Sequence, residues 1–229
     1  GTGYFDRTMQ GINIAREHGI LSGGIASLTA QNLHRWREVF DFFLGIDMSF
    51  LIRPIVPSQF NEKEKFAVSP DKWGDTVIEM LEAYVKLAPR IQIGALDQVC
   101  KSVFYKHGDV CTYTECFGSF TSISPNGDLY PCHRACGNEK YRLGNVTYSP
   151  PGVALYETEV AKALQLRITQ SLNSCKLSNC SHFEYCKSGC YYNMLQAGEH
   201  AVKDPYCSAH KKVFAYVQHK LLDEISCAE

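Results

Sequence analysis

Cysteine is the residue type that most constrains what this sequence can fold into. The chain has 229 residues and 11 cysteines, and nine of them lie between Cys111 and Cys207. An odd number of cysteines, with no signal peptide in the opening segment 1–7, argues against a secreted disulfide framework. In a reducing compartment, dense cysteine clusters more often bind metal. The sequence therefore favours a cytoplasmic metal-binding protein over a disulfide-bonded one.

Charge and hydropathy exclude two classes of partner. The formal net charge is -1 and the pI is about 6.8, so no basic field predicts binding to nucleic acid or to an anionic membrane. The longest apolar stretch, 39–52, is interrupted by Asp41, Gly45 and Asp47. It is shorter than the roughly 18 apolar residues that a membrane span needs. We expect a globular protein without a nucleic-acid or membrane partner, with its carboxylates on solvated faces.

Segment 1–98 contains no cysteine and alternates helical and strand patterns. Apolar spacing predicts helices over 5–18, 32–44 and 70–87, and strands over 23–29 and 48–53. This alternation is typical of βα units with a parallel sheet. Two strands cannot close such a core, and the chain opens directly on a helix. The segment is therefore predicted to be the second half of an α/β domain, with a complete small α/β domain as the alternative.

Segment 99–229 changes to short strands, turns and cysteines, an irregular α+β pattern. A hairpin is predicted from a strand over 118–124 and a return strand over 129–132, because Asn126-Gly127 adopts the required positive φ at little cost. Helices are predicted over 153–169 and over 208–224, the latter closing the chain.

The cysteines fall into two runs with characteristic spacing. The first is Cys111-x4-Cys116-x15-Cys132, and the second is Cys175-x4-Cys180-x5-Cys186-x3-Cys190, followed by Cys207. Eight thiolates suffice for two four-cysteine sites, and thiolate favours zinc or iron–sulfur clusters. The second run could by itself form a single zinc knuckle, so spacing alone leaves both kinds of metal site open.

The arrangement Cys116-x10-Gly127-x4-Cys132, followed by a cysteine run with x5 and x3 spacings and a later lone cysteine, resembles the SPASM domain. This domain is the C-terminal extension of a group of radical S-adenosylmethionine (SAM) enzymes. The sequences of segments 130–134 (Tyr-Pro-Cys-His-Arg) and 143–146 (Leu-Gly-Asn-Val) are similar to sequences that are common in the peptide-modifying members of this group. Segments 3–7, 19–20, 28–29 and 53–55 resemble the later half of a radical SAM barrel. The resemblance implies the second half of a partial (β/α) barrel over 1–98, followed by a SPASM domain over 99–229.

In the family that this chain resembles, the SPASM domain holds two auxiliary [4Fe–4S] clusters whose ligands interleave along the sequence. The positions that match the first cluster are Cys111, Cys116, Cys132 and Cys190. The positions that match the second cluster are Cys175, Cys180, Cys186 and Cys207. The family usually has two residues between the first pair of the second run, where this chain has four. Cys136 matches no family ligand, Cys227 is interpreted as incidental, and Cys100 is a possible spare ligand.

A radical SAM enzyme also needs a Cys-x3-Cys-x2-Cys loop, which binds the cluster that holds SAM. In this sequence Cys132-x3-Cys136 is followed by Glu139, and Cys186-x3-Cys190 is followed by Asn193. The chain alone is therefore predicted to be inactive. We expect a truncated enzyme whose missing half-barrel binds SAM and a third [4Fe–4S] cluster. A free-standing module that acts with a partner is the alternative.

The resemblance implies the C-terminal part of a peptide maturase that supports radical crosslinking or oxidation of a ribosomal peptide. The implied partners are a peptide or protein substrate and a reductant such as ferredoxin or flavodoxin. Anaerobic sulfatase maturation is the second hypothesis, although those enzymes typically carry aspartate where this chain has His133. Two alternatives from other classes are a non-catalytic iron–sulfur electron-transfer module and a structural zinc protein. The sequence identifies no catalytic residue.

Overall fold

The structure, a computed structural model, describes residues 3–20, 22–57, 65–87, 91–148 and 152–221. The N-terminal part alternates helices and strands as the apolar spacing predicts. Its elements in chain order are α1 (Phe5–Glu17), β1 (Gly24–Leu28), α2 (Trp36–Gly45), β2 (Phe50–Pro54), α3 (Pro70–Lys86) and α4 (Gly94–Tyr105). Helix α4 was not predicted, and it runs across position 98, where sequence composition places the domain boundary. That boundary stays a prediction.

The predicted parallel sheet is confirmed. Strand β1 pairs with β2 in parallel, with Gly24 opposite Phe50 and Leu28 opposite Pro54. An isolated parallel bridge joins Phe50 to Ile93, directly before α4. The sheet edge therefore continues into a third βα connection, and the carboxyl ends of these strands lie at one edge.

The C-terminal part contains a small antiparallel sheet and four further helices. Its elements are β3 (Ser122–Ile123), β4 (Asp128–Tyr130), β5 (Gly144–Asn145), α5 (Glu159–Leu177), α6 (Phe183–Cys186), α7 (Tyr191–Gln196) and α8 (Cys207–Tyr216). The predicted hairpin is present but shorter, with Gly127 at φ 85° in its turn. The predicted start of a helix at 153 is wrong, because a 3-10 turn occupies 152–157 and Thr158 caps α5 through the main-chain N–H of Ala161. The predicted closing helix is seen as α8 and a π-helical turn over Val217–Leu221, while 222–224 lie outside the described residues.

The last helix returns to the first part of the chain. Helix α8 packs closely against α3, and an added Cβ on Gly74 would lie 3.2 Å from the Cα of Ala209, so glycine favours this contact. Val213 and Phe214 of α8 belong to the same buried cluster as Met80 of α3. A second buried cluster lies around β4 and α7. No helix in the described part of the chain has both the length and the apolar character needed to cross a membrane.

Candidate functional site

The described cysteines are all free thiols, and their burial differs. Cys116, Cys132 and Cys175 are buried and Cys111 is exposed, while the others are intermediate. Cys227 lies outside the described residues. No disulfide bond joins the described cysteines, and a free cysteine binds metal as its thiolate.

The first group of thiols surrounds Cys116. Burial is the main cause that raises the pKa of Cys116 to about 12, and the nearby thiols of Cys111, Cys190 and Cys132 contribute to that rise in this order. Cys116 and Cys132 lie in the second buried cluster, and Cys190 packs against that cluster. The loop after α4, the end of β4 and the start of α7 thus bring four cysteines from distant parts of the sequence to one place.

The second group surrounds Cys186, the last residue of α6. Burial is the main cause that raises the pKa of Cys186 to about 12, and the thiols of Cys207, Cys175 and Cys180 and the carboxylate of Asp204 contribute to that rise. Cys175 lies in the last turns of α5, and its main-chain oxygen accepts a hydrogen bond from the Cys180 N–H at 3.3 Å. Cys207 is the first residue of α8. Three helices and one turn therefore supply this second group.

The backbone between Cys186 and Cys190 sends their side chains to different groups. Residues four apart on a regular helix share a face, so spacing alone would place both thiols at one site. In the structure, Lys187, Ser188 and Gly189 all have positive φ, at 48°, 71° and 77°. These three successive residues end α6 and reverse the chain before α7 begins at Tyr191.

Asp204 links the two groups, and sequence analysis did not identify it. Its side chain is fully buried. Its carboxylate accepts hydrogen bonds from the main-chain N–H of Cys190 at 2.8 Å and of Tyr206 at 2.9 Å, and it lies 3.4 Å from Nε2 of His210. Its own main-chain oxygen accepts from the N–H of Cys207 at 2.9 Å. The expectation that the carboxylates lie on solvated faces is therefore wrong for Asp204, which holds one cysteine of each group.

The pKa of Asp204 shows that these contacts outweigh burial. Burial alone would raise the pKa, but the hydrogen bond and charge of His210, with the two main-chain N–H donors, lower it below the ordinary value. Asp204 is therefore a charged, hydrogen-bonded carboxylate inside the protein. The only sequence signal was its position three residues before Cys207.

A cation lies beside the first group. Nη1 of Arg134 donates to Oδ1 of Asn193 at 2.7 Å and lies 3.8 Å from Sγ of Cys190, and the guanidinium is 4.6 Å from the centre of the Tyr192 ring. The adjacent His133 has an exposed surface, and partial desolvation of its ring together with the charges of Arg134 and Arg53 lowers its pKa.

The chemistry of the two groups fits iron–sulfur clusters. Among the described residues, no three His, Cys, Asp or Glu side chains converge closely enough to bind a single metal ion. A single zinc ion holds each thiolate sulfur at about 2.3 Å, whereas a four-iron cluster carries four cysteine ligands around a larger body. Four thiols in each group match the ligand number of such a cluster.

Comparison with known proteins gives no matching family model. The chain is 26% identical over 208 residues to a serine-type anaerobic sulfatase-maturating enzyme of Bacteroides thetaiotaomicron, covering 82% of this chain and 49% of that protein. It is 19% identical over 218 residues to the enzyme of the same description from Klebsiella aerogenes, covering 94% and 52%. An uncharacterized protein of Methanothermobacter thermautotrophicus is 37% identical over 109 residues, covering 47% and 42%. The chain spans about half the length of these relatives.

Solved structures share the fold. Native anSMEcpe with bound AdoMet superimposes with a TM-score of 0.82 at 17% sequence identity, covering 97% of this chain and 62% of that one. The same protein with bound AdoMet and the Cp18Cys peptide gives a TM-score of 0.80, covering 99% and 63%. Both structures hold AdoMet, and the relatives described as sulfatase-maturating enzymes match the same chain. The resemblance to the C-terminal portion of a radical SAM/SPASM enzyme is thereby confirmed.

Proposed function

We propose that this chain is the auxiliary-cluster portion of a radical SAM maturase, a half-barrel over 1–98 followed by a SPASM domain over 99–229, and that it binds two [4Fe–4S] clusters. The observation that supports this most directly is the packing of Cys116, Cys132 and Cys190 on one hydrophobic cluster and of Cys186 on the other, with each of the four remaining cysteines close enough to one of these sets to influence its pKa. The proposed ligands of the first cluster are Cys111, Cys116, Cys132 and Cys190. The proposed ligands of the second cluster are Cys175, Cys180, Cys186 and Cys207. Bound clusters of this kind supply one-electron chemistry at potentials that hydrogen bonds and burial adjust.

The chain's own residues orient the thiols. Asp204 fixes the main chain at Cys190 and Tyr206, and Gly189 permits the reversal between the two groups. Arg134 places a positive charge next to Cys190. Hydrogen bonds and charges of this type around ligand sulfurs tune a metal site and keep its ligands in place.

The proposed substrate is a peptide or protein, as the peptide complexes of the structural neighbours support. Radical crosslinking or oxidation of a ribosomal peptide is the first candidate reaction, favoured by His133 in place of the expected aspartate. Sulfatase maturation is the second candidate, favoured by the two curated relatives of that description. SAM and a third [4Fe–4S] cluster would belong to the complete enzyme, and a ferredoxin or flavodoxin would supply electrons. This chain alone, without a Cys-x3-Cys-x2-Cys loop, would not cleave SAM.

Metal analysis tests the cluster proposal. After anaerobic purification and reconstitution, iron, sulfide and zinc are measured per chain. Two four-iron clusters predict about eight irons with matching sulfide. About two zinc ions without sulfide would contradict the proposal and support the structural zinc alternative.

Serine variants test the grouping. Cys116→Ser and Cys186→Ser should each remove about four irons, from different clusters. The matched control is Cys100→Ser, because Cys100 is a half-buried thiol on α4 that is influenced by the charge of Asp97 and not by another cysteine. An equal iron loss in the control would contradict the assignment.

An activity assay with the complete enzyme, SAM and a reductant distinguishes between the two candidate reactions. Mass spectrometry of a serine-containing sulfatase peptide after incubation should show oxidation if the second candidate is right. An unchanged sulfatase peptide, with SAM cleaved in the presence of another ribosomal peptide, would favour the first.

A further inference from the structure

Three lysine side chains lie over the short helix that ends at Cys186, in the second thiol group. Lys176 and Lys187 place their Nζ atoms 5.4 Å and 5.0 Å from the centre of the Phe183 ring, and Lys106 places its Nζ 5.3 Å from the Tyr185 ring. Both aromatic residues belong to α6, which ends at Cys186. Three cations from α5, from the turn after α6 and from the end of α4 therefore converge on this one short helix.

Two further lysines flank Cys207. Lys211 lies four residues after Cys207 on α8 and therefore on the same helix face. Lys203 lies four residues before it, and the charges of Lys211 and Lys203 both act on the Cys207 thiol. Lys211 and Lys106 also act on His182, which directly precedes α6. The lysine face is thus defined by Lys106, Lys176, Lys187, Lys203 and Lys211.

These five charges have little local compensation. In the described part of the chain, none of the five has a carboxylate within 4.0 Å, whereas Lys140, Lys162, Lys212 and Lys220 each do. Two acidic residues that influence α6 are Glu184, which is exposed, and Asp204, which is buried and paired with His210. Since the whole chain has a net charge of -1, the lysine face is a local feature and not part of a general basic surface.

The lysine face also has an apolar centre. Leu177 ends α5 and is 84% exposed, and Phe183 lies half-buried between Lys176 and Lys187. A cationic rim around a small apolar patch is the composition of a transient protein-docking surface, in which charge steers the encounter and a few apolar atoms make the contact. Cys180 and Cys207, two members of the second thiol group, are themselves half-buried.

The geometry points to this lysine face as the docking surface for a small acidic electron-carrier protein, of the iron–sulfur or flavin class. The inference rests on the proposed function, because it needs a cluster at the second thiol group. One electron passes between that group and the carrier's redox centre, so that one is oxidised and the other reduced, with no bond formed or broken. Redox encounters of this kind use small interfaces, below about 1,200 Å², which suits a patch of this composition.

The test measures electron exchange between the cluster-loaded protein and a reduced acidic [2Fe–2S] ferredoxin by stopped-flow absorbance. The variant reverses three charges, Lys176→Glu, Lys187→Glu and Lys211→Glu. We expect its second-order rate to fall at least about 10-fold at low ionic strength, and to approach the wild-type rate at high salt, because steering raises association rates by about 10- to 1,000-fold.

The matched control reverses Lys86, Lys140 and Lys162, which are exposed and lie outside the lysine face. Iron and sulfide content is measured for every preparation. If the wild type and both variants hold iron but their rates agree, the docking inference is wrong while the proposed function stands. If the wild type holds no iron, the proposed function fails first and the inference with it. Charge-dependent binding of RNA without electron exchange with ferredoxin would also overturn the inference.

Discussion

Replacing Asp204 with alanine should destabilise the protein far more than removal of a surface carboxylate. Alanine would leave the main-chain N–H groups of Cys190 and Tyr206 without their acceptor. Tyr206 is only 3% exposed, so its N–H cannot be satisfied by water without structural change. An unsatisfied buried donor costs about 1–3 kcal/mol. The N–H of Tyr206 should carry the full cost and the N–H of the half-buried Cys190 a smaller one. We therefore expect the free energy of unfolding to fall by about 2–4 kcal/mol.

That loss is large against a typical free energy of unfolding of about 5–15 kcal/mol. Urea denaturation followed by tryptophan fluorescence measures it, because Trp36 and Trp73 are both buried in the first cluster. With a slope of about 2 kcal/mol per M, the midpoint should fall by about 1–2 M. Asp204→Asn, which keeps one acceptor oxygen, should lie between the wild type and alanine.

The control for this experiment is Asp75→Ala. Asp75 pairs with Lys212 at the surface, where the two side chains are 56% and 49% exposed. Exposed ion pairs contribute about 0–1 kcal/mol, so the control midpoint should shift little. If Asp204→Ala and Asp75→Ala have the same midpoint, the reasoning that Asp204 supports both cysteine groups is refuted.

Two further predictions concern backbone geometry and acid stability. Gly189→Ala should lower the urea midpoint, because Gly189 has φ 77° and the new Cβ would lie 2.7 Å from Cβ of Asp204. The control is Gly118→Ala, which also has positive φ (86°) but lies in open surroundings. It should lower the midpoint less than Gly189→Ala. The pKa of Asp128 lies below its ordinary value, chiefly because the side chain of Asn145 donates a hydrogen bond to its carboxylate. The charged carboxylate therefore stabilises the folded protein. The wild type should lose this stability as the pH falls from about 5 towards the folded-state pKa. Asp128→Asn should lack that part of the pH dependence, and an unchanged profile of urea midpoint against pH would contradict this account.

Much of the N-terminal fold could be predicted because its signals are local. Ser69 and Pro70 predict the start of α3, and the structure has Ser69 at the N-cap position, without a side-chain cap hydrogen bond, and Pro70 in the first turn. Helix α4 lacks such signals, since it begins at Gly94 after an Ile93 that provides no side-chain cap. Its stability comes from burial of Leu96 and Val103, both 0% exposed, in the cluster that α3 and α8 share. Such long-range contacts do not by themselves produce an apolar periodicity in the sequence that is strong enough to predict the helix.

The candidate site could be predicted in its residue types but not in its internal geometry. Cysteine spacing identifies the ligand candidates, because thiols are rare and chemically specific. Spacing does not separate Cys186 from Cys190, which would share a face on a continuous helix. The separation depends on positive φ at Lys187 and Ser188, a conformation uncommon outside glycine. The buried role of Asp204 depends on partners at Cys190 and His210 that only the fold brings together.

The two thiol groups are built on different hydrophobic clusters. Cys116 and Cys132 are part of the cluster around β4 and α7, whereas Cys186 packs against the cluster of α3, α4 and α8. Relative movement of the two clusters would change the separation of the two thiol groups. The turn over 187–189 and the hydrogen bonds of Asp204 oppose such movement, because they connect both groups through short main-chain links. A fixed separation is what electron exchange between two bound clusters would require, so the buried carboxylate serves the proposed function as well as the stability of the fold.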